Sequence, residues 1–184
     1  MSRFWQYYSV ACLVACLTGF SAVMAFTQDS LFKEDRFWAR TVATYVYHED
    51  LTKVDQLGEG WASPDENGTW SNRQKSTLLI NMKRELREDV ELEFAFTPFL
   101  VRGNRTQNVL VSVNDRPVAS WKLNGVMRRK VAALQVKQKI WNAKHPKTIA
   151  FEFKNPKSPA QVGHGPGTDP LGFQLSSLVI RKVR

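Results

Sequence analysis

Hydrophobic and polar positions alternate with a period of two along much of the chain after residue 75. Leu78, Ile80 and Met82 alternate with Thr77 and Asn81, and Val90, Leu92, Phe94 and Phe96 alternate with Glu91, Glu93 and Thr97. Successive side chains of an extended backbone point to opposite faces, so each run predicts a strand with one buried and one wet side. Lys83 to Asp89 between them is dense in charge and reads as a solvated connection. Val109, Val111 and Val113 predict a further strand, Asn114-Asp115 a tight turn, and Val118, Ala119, Trp121 and Leu123 the return. A turn at Asn124-Gly125 leads to a strand at Val131 to Val136, and Ile149, Phe151 and Phe153 share one side of another. From Leu171 to Val183 the apolar phase switches faces between Leu175 and Leu178, which predicts a bulge near Ser176-Ser177.

Two stretches break the alternation. Leu57 to Asn72 holds three glycines, Pro64 and two of the six tryptophans, and reads as a turn-rich loop. Asn155 to Pro170 is long and rich in Gly and Pro, as expected of a loop without structure of its own that is either functional or disordered. About eight short strands with no long helix in residues 53–184 predict an all-β fold, an antiparallel β-sandwich of jelly-roll type.

The amino-terminal end is of another kind. No charge occurs between Arg3 and Asp29, and as a helix residues 4–28 would extend roughly 37 Å, enough to cross a hydrocarbon core of about 30 Å. Phe4, Trp5, Tyr7 and Tyr8 stand where an interfacial aromatic belt would lie. An uncleaved transmembrane anchor competes with a cleavable signal peptide ending near Val23-Met24-Ala25 and with lipidation at the lipobox-like Leu13-Val14-Ala15-Cys16. Arg3 and the free amine make the near flank purely positive, so the expected orientation has the amino terminus in the cytoplasm and the remainder outside. The expected organisation is therefore an anchor or signal at 1–28, a stalk, short helix or first strand at 29–52, and a sandwich at 53–184.

Charge divides the chain. Residues 1–92 carry 10 Lys/Arg against 13 Asp/Glu, and residues 93–184 carry 16 against 4, within a net charge of +9. A basic half could face nucleic acid, but an export-type leader removes that partner and leaves anionic envelope components. Both cysteines, Cys12 and Cys16, fall in the apolar leader, so residues 53–184 contain neither a disulfide nor a cysteine nucleophile.

Catalytic patterning is absent from the sequence. His48, His145 and His164 are scattered, no metal-ligand spacing occurs, and no cofactor is called for. Two clusters stand out as binding chemistry instead. The first joins Trp61 and Trp70 to Glu66 and Asn67, flat apolar faces beside short polar groups, a pairing that suits sugar rings; the competing reading has both indoles filling the ends of a core. The second, around Arg102, Asn104 and Arg105, supplies guanidinium forks and an amide, suited to anions and hydroxyls.

The tryptophan loop, Gly103-Asn104-Arg105-Thr106-Gln107 leading to Val111-Ser112-Val113-Asn114, Val118-Ala119-Ser120-Trp121, Ser158-Pro159-Ala160 and Pro170-Leu171-Gly172 occur in this order. Together they resemble the periplasmic β-sandwich domain appended to bacterial membrane glycosyltransferases and to phosphoglycerol transferases that decorate periplasmic glucans. The resemblance covers roughly residues 53–183. It implies a carbohydrate-facing accessory domain with Trp61, Glu66, Trp70 and Ser71 at the signature positions, in a protein of the bacterial inner membrane with its carboxy-terminal domain in the periplasm. The chain departs from the pattern in having no catalytic domain attached, and in having Gln161-Val162-Gly163-His164 where a more acidic, aliphatic stretch is expected. The expected role is a non-catalytic membrane-anchored protein that binds a periplasmic glucan or other envelope glycan, or assists a glycan-modifying enzyme. The alternative is a protein-interaction subunit of a membrane glycosyltransferase or phosphoglycerol transferase complex.

Overall fold

A computed structural model describes residues 40–46, 56–82 and 85–183. The leader and the expected transmembrane helix lie outside the described residues, and no helix among those described is long and apolar enough to cross a membrane. Nine strands are described: β1 (Arg40–Val46), β2 (Thr69–Trp70), β3 (Lys75–Ile80), β4 (Val90–Pro98), β5 (Thr106–Val113), β6 (Arg116–Asn124), β7 (Lys130–Val136), β8 (Lys147–Lys154) and β9 (Phe173–Lys182). A four-residue helix, α1 (Gln138–Trp141), and a 3₁₀ turn at Ala160–Val162 complete them.

The strands form two antiparallel sheets, one in the order β1-β9-β4-β7 with β2 also on β9, the other in the order β3-β8-β5-β6. The pairs β5·β6, β4·β7, β3·β8 and β1·β9 are the rungs of one long two-stranded ribbon, and successive rungs fall in alternate sheets. That winding is a jelly roll, and it closes where β9 meets β4 and β8 meets β5.

The period-two pattern dictates the packing. Leu78, Ile80, Leu92, Phe94, Phe96, Val109, Val111, Phe151, Phe173 and Leu178 are buried between the sheets. Phe94, Phe96, Trp121, Phe151 and Phe173 meet at centroid distances of 4.9–6.2 Å. The bulge predicted near Ser176-Ser177 is present: Ala95 pairs with Ser177 but Phe96 pairs with Leu175, so Ser176 is left over and both Leu175 and Leu178 turn inward. The Asn114-Asp115 turn is also present, with φ of 49° and 65°, the left-handed pair that a two-residue hairpin between twisted strands requires.

Two expectations need correction. The charge-dense connection after β3 is not wholly solvated: Leu86 is 1% exposed and joins the core, and the Asn142 side chain accepts from its N–H and donates to its carbonyl. The Asn155–Pro170 stretch is not structureless. Its 3₁₀ turn is held by Ser158 and Gln161, each side chain accepting the other's backbone N–H, and Lys157 bridges to Leu171.

Register fixes the polarity of the sandwich. The stretches 57–74, 99–105, 125–129 and 155–172 lie at one end, here the loop end. At the opposite end Arg40 pairs with Lys182, so the chain enters β1 and leaves β9 there. Several cations at that entry end are tied down: Lys137 to Asp89, Lys144 to Asp115, Lys182 to Glu88, and Arg181 to Glu91 and Glu93.

Candidate functional site

The tryptophan stretch is a hairpin laid over the loop end rather than an open loop. Asn72 N–H donates to the Gly60 carbonyl and Ala62 N–H to the Trp70 carbonyl, both at 2.9 Å, and Trp61 bridges to Ser71. At the tip, the Asp65 carboxylate accepts the N–H groups of Asn67 and Gly68 at 2.7 and 3.1 Å, an Asx turn. The buried Gln174 amide donates to the same carboxylate at 2.8 Å, which fixes the tip onto β9. At the base, Gly60 has φ +85°, and a β-carbon there would collide with the Lys75 carbonyl oxygen, so only glycine lets the hairpin approach β3.

Within this hairpin the two indoles have different surroundings. Trp61 is partly buried against the core, its ring beside Phe151 and Phe173 at 6.2 and 6.1 Å and its N–H donated to the Thr77 carbonyl at 2.7 Å. Trp70 pairs with Gln174 on β9, and its half-buried ring meets Phe99 edge-to-face at 6.1 Å. No hydrogen bond joins the Trp70 indole N–H to another described residue. Phe99 in turn meets the exposed His164 ring at 5.9 Å.

Phe99 links the two clusters read from the sequence. The Asn104 amide, itself buried, donates to the Phe99 carbonyl at 2.6 Å, and Val101 and Asn104 exchange backbone hydrogen bonds across the Arg102-Gly103 turn. Asn104 thereby holds a turn that presents Arg102 and Arg105. Both arginines line a cavity of about 290 Å³ with Leu100, Val101, Gly125 and Val126. A mostly apolar lining that includes two arginines fits an anion carried on a partly apolar body.

The remaining sequence candidates lie elsewhere. Ser71 is fully buried and its oxygen accepts the N–H groups of Gly172 and Phe173, both at 3.0 Å, so it ties the hairpin to the start of β9. Glu66 and Asn67 are exposed at the hairpin tip, 3.4 Å apart through the Asn67 amide, next to Ser176, whose hydroxyl donates to the Asn67 carbonyl. The structure thus places Trp70, Arg102, Asn104 and Arg105 along one continuous stretch through Phe99, and gives Trp61 and Ser71 internal bonds. Phe99, Val126 and Gln174 belong to this region but were not singled out in the sequence. Phe99 follows directly on the β4 pattern and is itself buried, so nothing in the sequence separates it from the core strands; only its ring contacts with Trp70 and His164 tie it to this region. Among the described residues no group of three or more His, Cys, Asp or Glu could hold a metal ion.

No family model and no curated protein sequence matches the chain. Among solved structures it is similar to a family GH115 4-O-methyl-α-glucuronidase with specificity for decorated arabinogalactans, at 10% identity and a TM-score of 0.47. That match covers 79% of this chain and 18% of the glucuronidase, so the chain spans under a fifth of that protein's length. It is also similar to a family 35 carbohydrate-binding module from Clostridium thermocellum, at 10% identity and a TM-score of 0.40 over 75% of this chain and 97% of the module. The carboxy-terminal domain of EclA, a sugar-binding protein, matches at 10% identity and a TM-score of 0.36 over 77% of each chain.

Proposed function

We propose that the chain is a non-catalytic, membrane-anchored protein of the bacterial envelope whose exported β-sandwich binds an envelope glycan at its loop end and assists a glycan-modifying membrane enzyme. The observation that carries this reading is the continuity of Trp70, Phe99 and the cavity walled by Arg102 and Arg105. A half-buried indole with a free N–H offers a sugar ring a stacking face and a donor, and the adjoining guanidiniums suit hydroxyls or an acidic substituent. In this reading the anchor lies in the inner membrane with its amino terminus in the cytoplasm, and the sandwich meets glycan or a partner glycosyltransferase or phosphoglycerol transferase in the periplasm.

Calorimetric titration of the full chain in detergent with envelope glucans tests this. Starting the chain at residue 53 would remove β1 from its sheet, so the whole protein is needed. Saturable binding is expected, weakened about tenfold or more by Trp70→Ala, in line with a lost stacking contact and its ordering. A flat titration, or one unchanged by Trp70→Ala and by Arg102→Gln/Arg105→Gln, would refute the proposal.

A further inference from the structure

The turn between β6 and β7 lends Gly125 and Val126 to the cavity, but the glycan reading does not account for the rest of it. It runs Gly125-Val126-Met127-Arg128-Arg129 into Lys130, and crosses from one sheet to the other at the loop end. Val126 is 64% exposed and Met127 43% exposed, and Val131 just beyond is 48% exposed. Gly125 has φ +106° with no atom within 4 Å of where a β-carbon would stand, so the turn is open to solvent there. Isolated exposed aliphatic residues are ordinary on a protein surface, but here two stand at the apex of a turn and a third follows it.

The charges around this apex are of one sign. Arg128, Arg129 and Lys130 follow it directly, and Arg102 and Arg105 share a cavity with Val126. None of these five cations is ion-paired to a carboxylate among the described residues, in contrast to the paired cations at the entry end. An exposed aliphatic tip flanked by unpaired guanidinium and ammonium groups has the two components of an interfacial membrane contact: side chains that gain by leaving water, and charges that gain near anionic headgroups.

We infer that the 125–131 turn is a peripheral docking site for a bilayer surface carrying anionic lipid headgroups, separate from any apolar leader. Charge complementarity selects an anionic partner. The exposed, aliphatic and non-aromatic apex selects acyl chains over a sugar face, which needs a flat ring, and over an acidic polypeptide, which would leave Val126 and Met127 in water. The inference goes beyond the glycan reading, and either can fail without the other.

The test uses the full chain held in phosphatidylcholine nanodiscs, so that its leader is already satisfied, and measures co-flotation with separate phosphatidylcholine vesicles with or without phosphatidylglycerol. Capture is expected only by vesicles containing phosphatidylglycerol, and is expected to fall as salt rises. Arg128→Gln/Arg129→Gln/Lys130→Gln should weaken it about a hundredfold. Val126→Ser/Met127→Ser should weaken it about tenfold or more, with Met127→Asp alone as a second variant and an unchanged thermal midpoint as the check on folding. Equal capture of neutral vesicles would overturn the inference. So would capture indifferent to the aliphatic substitutions, or displacement by soluble polyglutamate as effective as displacement by excess vesicles, which would mark an acidic polypeptide as the true partner.

Discussion

Ser71→Ala is expected to destabilise the fold well beyond what removal of one hydroxyl normally costs. The Ser71 oxygen accepts two backbone N–H groups, from Gly172 and Phe173, each at 3.0 Å and in a site closed to solvent. Alanine removes the acceptor and leaves two buried donors without a partner. Each orphaned buried donor costs about 1–3 kcal/mol, so the pair should cost about 2–6 kcal/mol. For a chain of this size, 1 kcal/mol moves the midpoint by about 2–4 °C, which puts the expected fall at about 4–24 °C. The comparison is Ser176→Ala, whose hydroxyl donates a single exposed hydrogen bond to the Asn67 carbonyl and whose loss should cost under about 0.5 kcal/mol. Thermal and guanidinium unfolding of both variants of the full chain in detergent, followed by tryptophan fluorescence, gives the difference. Glycan titration well below the midpoint adds a second readout, because a hydroxyl wholly engaged with the backbone should leave affinity within about threefold of the parent. A Ser71→Ala midpoint indistinguishable from that of Ser176→Ala would refute this reasoning. So would a folded Ser71→Ala protein that no longer binds sugar.

Gly60→Ala should cost more than about 3 kcal/mol, because it combines a left-handed backbone with a collision against the Lys75 carbonyl; denaturant midpoints measure it. Arg181 lies between Glu91 and Glu93 with its side chain 19% exposed, so Arg181→Met should destabilise by about 3 kcal/mol by leaving the buried Glu91 carboxylate without its cation, and Arg181→Met/Glu91→Leu should recover part of that. The Asp89 carboxyl is held below its ordinary value, first by the hydrogen bond from the Lys137 ammonium and then by the Gln138 backbone N–H. A depressed carboxyl value contributes stability above the unfolded value of about 3.9 and loses it as pH falls through the lower folded value. Unfolding curves of the parent and Asp89→Asn should therefore differ at neutral pH and converge at about pH 2; a constant offset across that range would contradict the assignment.

The strands were legible because burial on one face of a sheet writes itself directly into alternation. Phe94, Phe96, Phe151 and Phe153 could hardly lie otherwise, and the phase switch between Leu175 and Leu178 revealed the bulge at Ser176. What the pattern could not show was which strands share a sheet. Lys83 to Asp89 looked fully solvated because one apolar residue among six charges carries little signal, yet Leu86 is anchored there by Asn142, 56 positions away. The site divided in the same manner. Trp70, Arg102 and Arg105, singled out in the sequence for binding chemistry, lie in one region of the fold. Ser71 carries polar chemistry that the fold spends on the backbone of β9, and Trp61 donates its N–H to Thr77. Phe99 was missed because the alternation marks it only as buried, and does not show that Trp70 and His164 pack on it. The relation between the two loop clusters depends on Asn104 reaching the Phe99 carbonyl, a contact set by the turn and not by any spacing.

The central claim is that sugar is bound at the loop end, and amide hydrogen exchange of the full chain in detergent, with and without envelope glucan, locates binding most directly. Slower exchange with glucan is expected in residues 99–105 and around Trp70, where the ordered ligand would cover the turn amides of Arg102, Gly103 and Arg105. Exchange unchanged by glucan, or slowed instead around residues 85–88 and 137–146 at the entry end, would contradict it.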